Sequence, residues 1–151
     1  MRSIPLSLET YYFDESWVKA VAGYRVADAP SNLLPAILCM PRVETHAEDP
    51  ARIRVVIDLE VNSLDGVVVP YEVRLRLVGF FRIEDPDLHA DAQAQLAHSA
   101  AVSILFSAAR DHLYTLTAKG PNEPLLLPPV HIPAPDDRTA AVWGERAAPQ
   151  G

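Results

Sequence analysis

A single cysteine, Cys39, stands among 151 residues, so no intrachain disulfide can form and no cysteine-based zinc site can be assembled. That usage fits a reducing compartment. No run approaches the ~20 apolar residues that a membrane-spanning helix needs. The opening residues Met1-Arg2-Ser3-Ile4-Pro5-Leu6 hold no continuous apolar core of signal-peptide length. Basic residues are also scarce: 13 Lys and Arg against 20 Asp and Glu leave a net charge of -7. That disfavours nucleic acid, whose phosphates need clustered cations, and an anionic membrane surface. The expectation is a soluble, cytoplasmic protein with no nucleic-acid partner and no membrane insertion. An acidic chain suits basic or unfolded partners instead.

Recognisable chemistry is missing as well. No G-x-S-x-G, Walker or G-x-G-x-x-G pattern occurs. The histidines His46, His89, His98, His112 and His131 lack metal-ligand spacing; a zinc site needs its ligands in contact, often two on one helical face. Ser99, Ser103 and Ser107 recur every fourth residue, but no base or orienting group can be assigned to any of them. Such a stripe marks a smooth helix face that lets another element approach. Cys39 sits in an apolar strand and reads as a buried small hydrophobe. Arg74, Arg76 and Arg82 share one strand face, where Asp58, Glu60 and Glu72 would neutralise them. No metal, cofactor or enzymatic activity is expected.

What is present is apolar patterning. Hydrophobic residues make up 49% of the chain, enough for a core at this length. Residues 4–13 alternate in part and predict a first strand; residues 16–31 look irregular. Residues 34–44 predict a second strand, placed at an edge or bulged because Pro35 and Pro41 cannot donate ladder hydrogen bonds. Ile53, Val55, Ile57, Leu59 and Val61 alternate with mostly polar neighbours, as a sheet wetted on one side requires. Residues 62–66, ending in Asp-Gly, predict a turn. The return strand runs over residues 69–83. Asp87 is a candidate N-cap for a helical stretch over residues 88–119. Val102, Leu105, Phe106, Ala109, Leu113 and Leu116 recur at helical spacing there. Leu88, Ala92 and Leu96 are out of phase with them, so a break is predicted near residues 98–101. Proline-rich residues 121–132 predict an extended segment. Residues 133–151 predict a mobile Pro/Ala-rich tail, leaving residues 1–132 as one domain.

Four stretches carry a resemblance. Ile104-Leu105-Phe106-Ser107-Ala108-Ala109-Arg110 is similar to the I-L-F-P-Y-A-R of the SecB protein-export chaperone family. Gly120 followed by Leu125-Leu126-Leu127-Pro128-Pro129-Val130 resembles that family's G-x-x-x-x-L-x-L-x-P-V. Gly79-Phe80-Phe81-Arg82-Ile83 looks like its G-I-F-x-I, and Tyr11, Asp14, Ser16 and Trp17 match a first-strand pattern. The resemblance implies an α+β fold with a four-stranded antiparallel sheet packed with one long helix. It implies a homo-oligomer, a dimer of dimers, that holds unfolded client polypeptides without ATP and hands them to the SecA motor. On that reading, Phe80, Phe81, Leu125, Leu126, Leu127 and Val130 face the client peptide. Leu105, Phe106, Ala109 and Leu113 pack against a neighbouring subunit, and Asp14, Glu72 and Arg74 dock the partner.

The departures are specific. Pro133, Pro135 and Asp136-Asp137-Arg138 replace the start of the family's second helix, so that C-terminal helix reads as lost. Arg74 stands where the family's exposed sheet face is acidic. These departures favour a second reading, an adaptor of the same scaffold serving one client such as an antitoxin. A third reading, a small-molecule site between sheet and helix, lacks a convergent polar set. Within the extended segment, Leu125 and Leu127 share a side and should anchor on the sheet. Leu126 then points away and, with Phe80, is expected to form one exposed apolar patch.

Overall fold

The computed structural model describes residues 4–64, 66–85, 87–129 and 141–144. Four antiparallel strands, β1 (Leu6–Ala20), β2 (Ile37–His46), β3 (Arg52–Val61) and β4 (Tyr71–Ile83), form the body of a sheet. A three-residue strand, β5 (Ala141–Trp143), adds to β2 in parallel, giving the order β1-β4-β3-β2-β5. Two helices, α1 (Ala90–Leu96) and α2 (Val102–Thr117), are joined through a π-helical turn, Ala97–Ala101. This is the expected α+β arrangement of a four-stranded antiparallel sheet with one long, interrupted helix.

Alternation decides which face the helix covers. On β3 the residues Ile53, Val55, Ile57 and Leu59 are buried, as are Val73, Leu75, Leu77 and Phe81 on β4. Paired positions share a face, so Ile57 opposite Leu77 and Leu59 opposite Leu75 line the inner side together. Against them pack Val102, Leu105, Phe106, Ala109 and Leu113 of α2, all at most 6% exposed. Burying each large side chain contributes roughly 1.5–3 kcal/mol before conformational entropy is charged. The π turn resolves the phase mismatch between the two apolar sets. One added residue per turn rotates α1 relative to α2, and Ala97, Ala101 and Val102 are brought into the core.

Several boundaries differ from the sequence reading. β1 continues through Ala20 instead of fading after Phe13. Bulges between Leu8 and Thr10 and between Phe13 and Glu15 reset the alternation and masked the strand's second half. Residues Leu34–Ala36 form a 3-10 turn with Pro35 inside it, so β2 starts later, at Ile37. β2, which holds Pro41, is one of the two outer strands of the four, as a proline in a strand requires, and β5 touches it only at Glu44–His46, beyond Pro41. Gly66 takes φ 81° in the β3–β4 connection, where Leu64 and Val67 exchange hydrogen bonds of 2.9 Å each. Asp87 is not the N-cap. Its own N–H is taken by the Asp85 carboxylate at 3.0 Å, and His89 precedes the first helical residue without a side-chain cap.

The extended segment after α2 is fastened by a compact polar network. Thr117, 1% exposed, accepts the Leu125 N–H at its Oγ1 (2.8 Å) and donates to the Leu113 carbonyl (2.6 Å). The Asn122 side chain donates to the Pro70 carbonyl (2.7 Å), and the Tyr71 hydroxyl accepts the Asn122 N–H (3.0 Å). Arg110 Nε donates to the Leu127 carbonyl (2.8 Å). A Cβ at Gly120 would stand 2.1 Å from the Tyr71 hydroxyl, so only glycine lets the chain turn this close to the ring.

Candidate polypeptide-binding surface

The segment's alternation is as expected: Leu125 and Leu127 are 1% and 0% exposed, while Leu126 is 58% exposed. Its backbone leans on α2, so Leu126 emerges on the helix side of the sheet. Beside α2, a groove of about 470 Å³ is lined by Ser16, Val18, Tyr71, Leu116, Lys119 and Pro121 among others. Ile104, Tyr114 and Leu116 are exposed on α2, as are Leu8 and Tyr11 on the inner face of β1. Apolar surface of this extent needs a partner or a purpose.

Phe80 lies elsewhere. It neighbours Gly79 and Phe81, which face α2, and therefore points to the outer side of the sheet. The single patch expected from Leu126 and Phe80 is thus two patches separated by the sheet. On the outer side Phe80 meets Tyr12 (ring centroids 6.3 Å) and Trp143 (5.4 Å). Leu38 and Met40, both 51% exposed, lie on the same face of β2.

The remaining candidates divide. Phe81, Leu125 and Leu127 are core residues and offer no side-chain surface to a client. Leu105, Phe106, Ala109 and Leu113 are likewise covered by the chain's own sheet. The periodicity that singled them out reported burial, and burial within one subunit looks the same in sequence as burial between two. The outward face of α2 instead carries Ser103, Ile104, Ser107 and Tyr114. Ser99, Ser103 and Ser107 each donate to the carbonyl four residues back, at 2.8, 2.6 and 3.0 Å. Their hydroxyls are spent within the helix and leave the stripe smooth. Val130 and the expected loss of the second helix fall outside the described residues.

Asp14 is exposed at the second β1 bulge. The Arg74 guanidinium carbon lies 4.5 Å from the centroid of the Trp17 ring. Arg76 donates to Asp58 (2.7 Å), and that contact raises the Arg76 pKa. Arg82 pairs with Asp49 (3.3 Å) and Glu9 (3.7 Å). Of the three acids expected to neutralise the outer face, only Asp58 pairs with one of its arginines among the described residues; Arg82 takes Asp49 and Glu9 instead. The one buried carboxylate of that face among the described residues is Glu44, 5% exposed, held between Arg42 (2.7 Å) and Arg54 (2.8 Å to Nε).

No metal-binding group of three or more His, Cys, Asp or Glu occurs among the described residues. No helix among them is long and apolar enough to cross a membrane. Burial pushes the Cys39 thiol up to about 11, so it stays protonated at neutral pH. His112, stacked on Phe13 (3.9 Å) and 3.0 Å from the Ser16 hydroxyl, has its pKa lowered by burial, with Asp111 opposing.

Trp143 was not legible in advance. The residues around it were assigned to a mobile tail, yet Ala141–Trp143 pairs with Glu44–His46, and Ala47 N–H donates to the Trp143 carbonyl at 2.9 Å. A three-residue strand has too little periodicity to register in sequence.

No protein-family model and no curated protein sequence matches the chain. Among solved structures, it is similar to a SecB-like chaperone of Mycobacterium tuberculosis, solved in complex with a ChAD peptide from the HigA1 antitoxin. Identity is 15%, with 85% of this chain and 93% of that one covered at a TM-score of 0.58. A protein of unknown function from Streptococcus agalactiae aligns at 13% identity over 83% of this chain and 100% of its own, with a TM-score of 0.49. The fold of this chain is SecB-like.

Proposed function

We propose that this chain, on its SecB-like fold, is a subunit of a molecular chaperone that holds unfolded polypeptides without nucleotide and performs no chemistry. The observation that carries the reading is the exposed apolar surface of α2 and the segment after it, Ile104, Tyr114 and Leu126, with Leu116 lining a shallow groove. Such a surface binds by burying client apolar side chains and tolerates many sequences, as a holdase requires. The free edge of β1 supports assembly into a homo-oligomer, a dimer of dimers. It is 15 residues long and has no second partner strand among the described residues. The serine-striped outer face of α2 supports close packing of a second subunit there.

A dedicated adaptor for one client is the second reading, and two observations favour it. The similar mycobacterial chaperone was solved with an antitoxin peptide. Arg74, engaged with Trp17, stands where an acidic export-partner surface is expected. Light scattering of urea-denatured citrate synthase diluted into nucleotide-free buffer tests the common ground. The chaperone reading predicts suppression at near-stoichiometric ratio; undiminished aggregation at tenfold excess over client contradicts it. Binding to SecA then separates the two versions: association supports export, and none supports the dedicated adaptor.

A further inference from the structure

Trp143 sits in a cage that the rest of the fold has built on the outer face of the sheet. Phe80 meets its ring edge-on at 5.4 Å and His46 at 4.6 Å. The Arg54 and Arg52 guanidinium carbons lie 4.9 and 5.6 Å from its centroid. Arg54 is held in place from behind by buried Glu44. A ring close to two guanidiniums and two aromatic neighbours is favourably placed by cation–π and edge-on contacts. The cage residues come from three neighbouring strands, His46 from β2, Arg52 and Arg54 from β3 and Phe80 from β4.

Its occupant is held far less firmly than the cage. β5 has three residues and pairs in parallel, the weaker ladder type, with one strand only among the described residues. The indole N–H is buried and has no hydrogen-bond partner among the described residues, which penalises tryptophan at this position. Gly144 must adopt φ 91° to leave the site, and a Cβ there would stand 2.9 Å from His46 Nε2. The edge of β2 beyond β5 carries exposed Met40 and Leu38. A longer extended chain in the same register would pass over both.

From this geometry we infer that the β2 edge and the cage of Phe80, His46, Arg52 and Arg54 form a second client site for an extended segment bearing an aromatic side chain. The chain's own Ala141–Trp143 occupies that site as a displaceable stand-in. Strand addition supplies sequence-independent backbone pairing, and the cage supplies the aromatic preference. The inference rests on the chaperone reading for its occupant and adds the site's location, its specificity and its self-occlusion.

The test uses full-length protein and two probes. One is a fluorescein-labelled peptide with the sequence of residues 141–146, Ala-Val-Trp-Gly-Glu-Arg; the other is reduced, carboxymethylated α-lactalbumin, which stays unfolded. Trp143→Ala empties the cage, and Gly144→Ala pushes the strand off while keeping the indole. A site open one fifth of the time binds about fivefold more weakly than one always open. Both variants should therefore bind the peptide about fivefold more tightly than wild type, and Phe80→Ala added to Trp143→Ala should abolish the gain. The same peptide with alanine for tryptophan should not bind. If α-lactalbumin is held equally by wild type and both variants while the peptide binds none of them, the self-occluded site is wrong and the chaperone reading stands. If α-lactalbumin binds to none of the three, the chaperone reading fails too.

Discussion

Gly120→Ala probes the joint that aims the extended segment along α2. The added Cβ would lie 2.1 Å from the Tyr71 hydroxyl, 2.8 Å from Cζ and 2.9 Å from Cε1. Tyr71 is 3% exposed, so moving its ring disturbs packed neighbours. The hydroxyl contacts the Thr117 and Asn122 carbonyls, each at 3.2 Å, and accepts the Asn122 N–H at 3.0 Å. Displacing it forfeits hydrogen bonds of about 0.5–1.5 kcal/mol each and adds overpacking strain of about 1–3 kcal/mol. The hydroxyl has one proton, so one donated and one accepted bond are at stake, and the total is about 2–6 kcal/mol of stability. Urea denaturation should show a lower midpoint at unchanged m. The penalty should shrink by at least about 1 kcal/mol in a Tyr71→Phe background, because the two sites share the hydroxyl. A Gly120→Ala midpoint equal to wild type, or strictly additive penalties, would refute the reasoning.

Three further outcomes are expected. Phe106→Ala, at a 6% exposed core position, should cost about 3–5 kcal/mol in the same denaturation assay; a loss under 1 kcal/mol would place Phe106 outside the core. Leu126→Asp should weaken suppression of client aggregation and leave the urea midpoint within about 0.5 kcal/mol of wild type, since Leu126 is exposed. Equal suppression at equal stability would remove Leu126 from the client surface. Partial burial lowers the pKa of half-buried His112 from its ordinary value of 6.5, so the unfolded chain takes up the proton first. Its contribution to stability is complete above that value and is lost as pH falls through 6.5 toward the folded-state pKa. Midpoints measured from pH 7.5 to 5.5 should fall more steeply for wild type than for His112→Phe, and parallel slopes would show that His112 carries none of the dependence.

What the sequence made legible was whatever has a period. β3 and β4 alternate over most of their lengths, and the phase slip between Leu96 and Val102 announced the π turn. The bulged half of β1 lost its alternation at Asp14 and was missed. Apolar periodicity located the core without saying which surface covers it. Leu105, Phe106, Ala109 and Leu113 therefore read as interface residues although the chain's own sheet buries them. Leu126 emerged correctly because neighbours in an extended segment point opposite ways. Phe80 was placed on the right strand, but its partner across the sheet could not be known before the faces were assigned. Trp143 gave no signal, because its place depends on a cage assembled from residues more than sixty positions upstream.

Calorimetric titration of unfolded, carboxymethylated α-lactalbumin into the full chain, without nucleotide and at several temperatures, bears most directly on the claim that this fold holds extended polypeptides. The account predicts saturable binding with a negative heat-capacity change, the signature of apolar surface leaving water. The absence of saturable binding, or binding with no heat-capacity change, would contradict it.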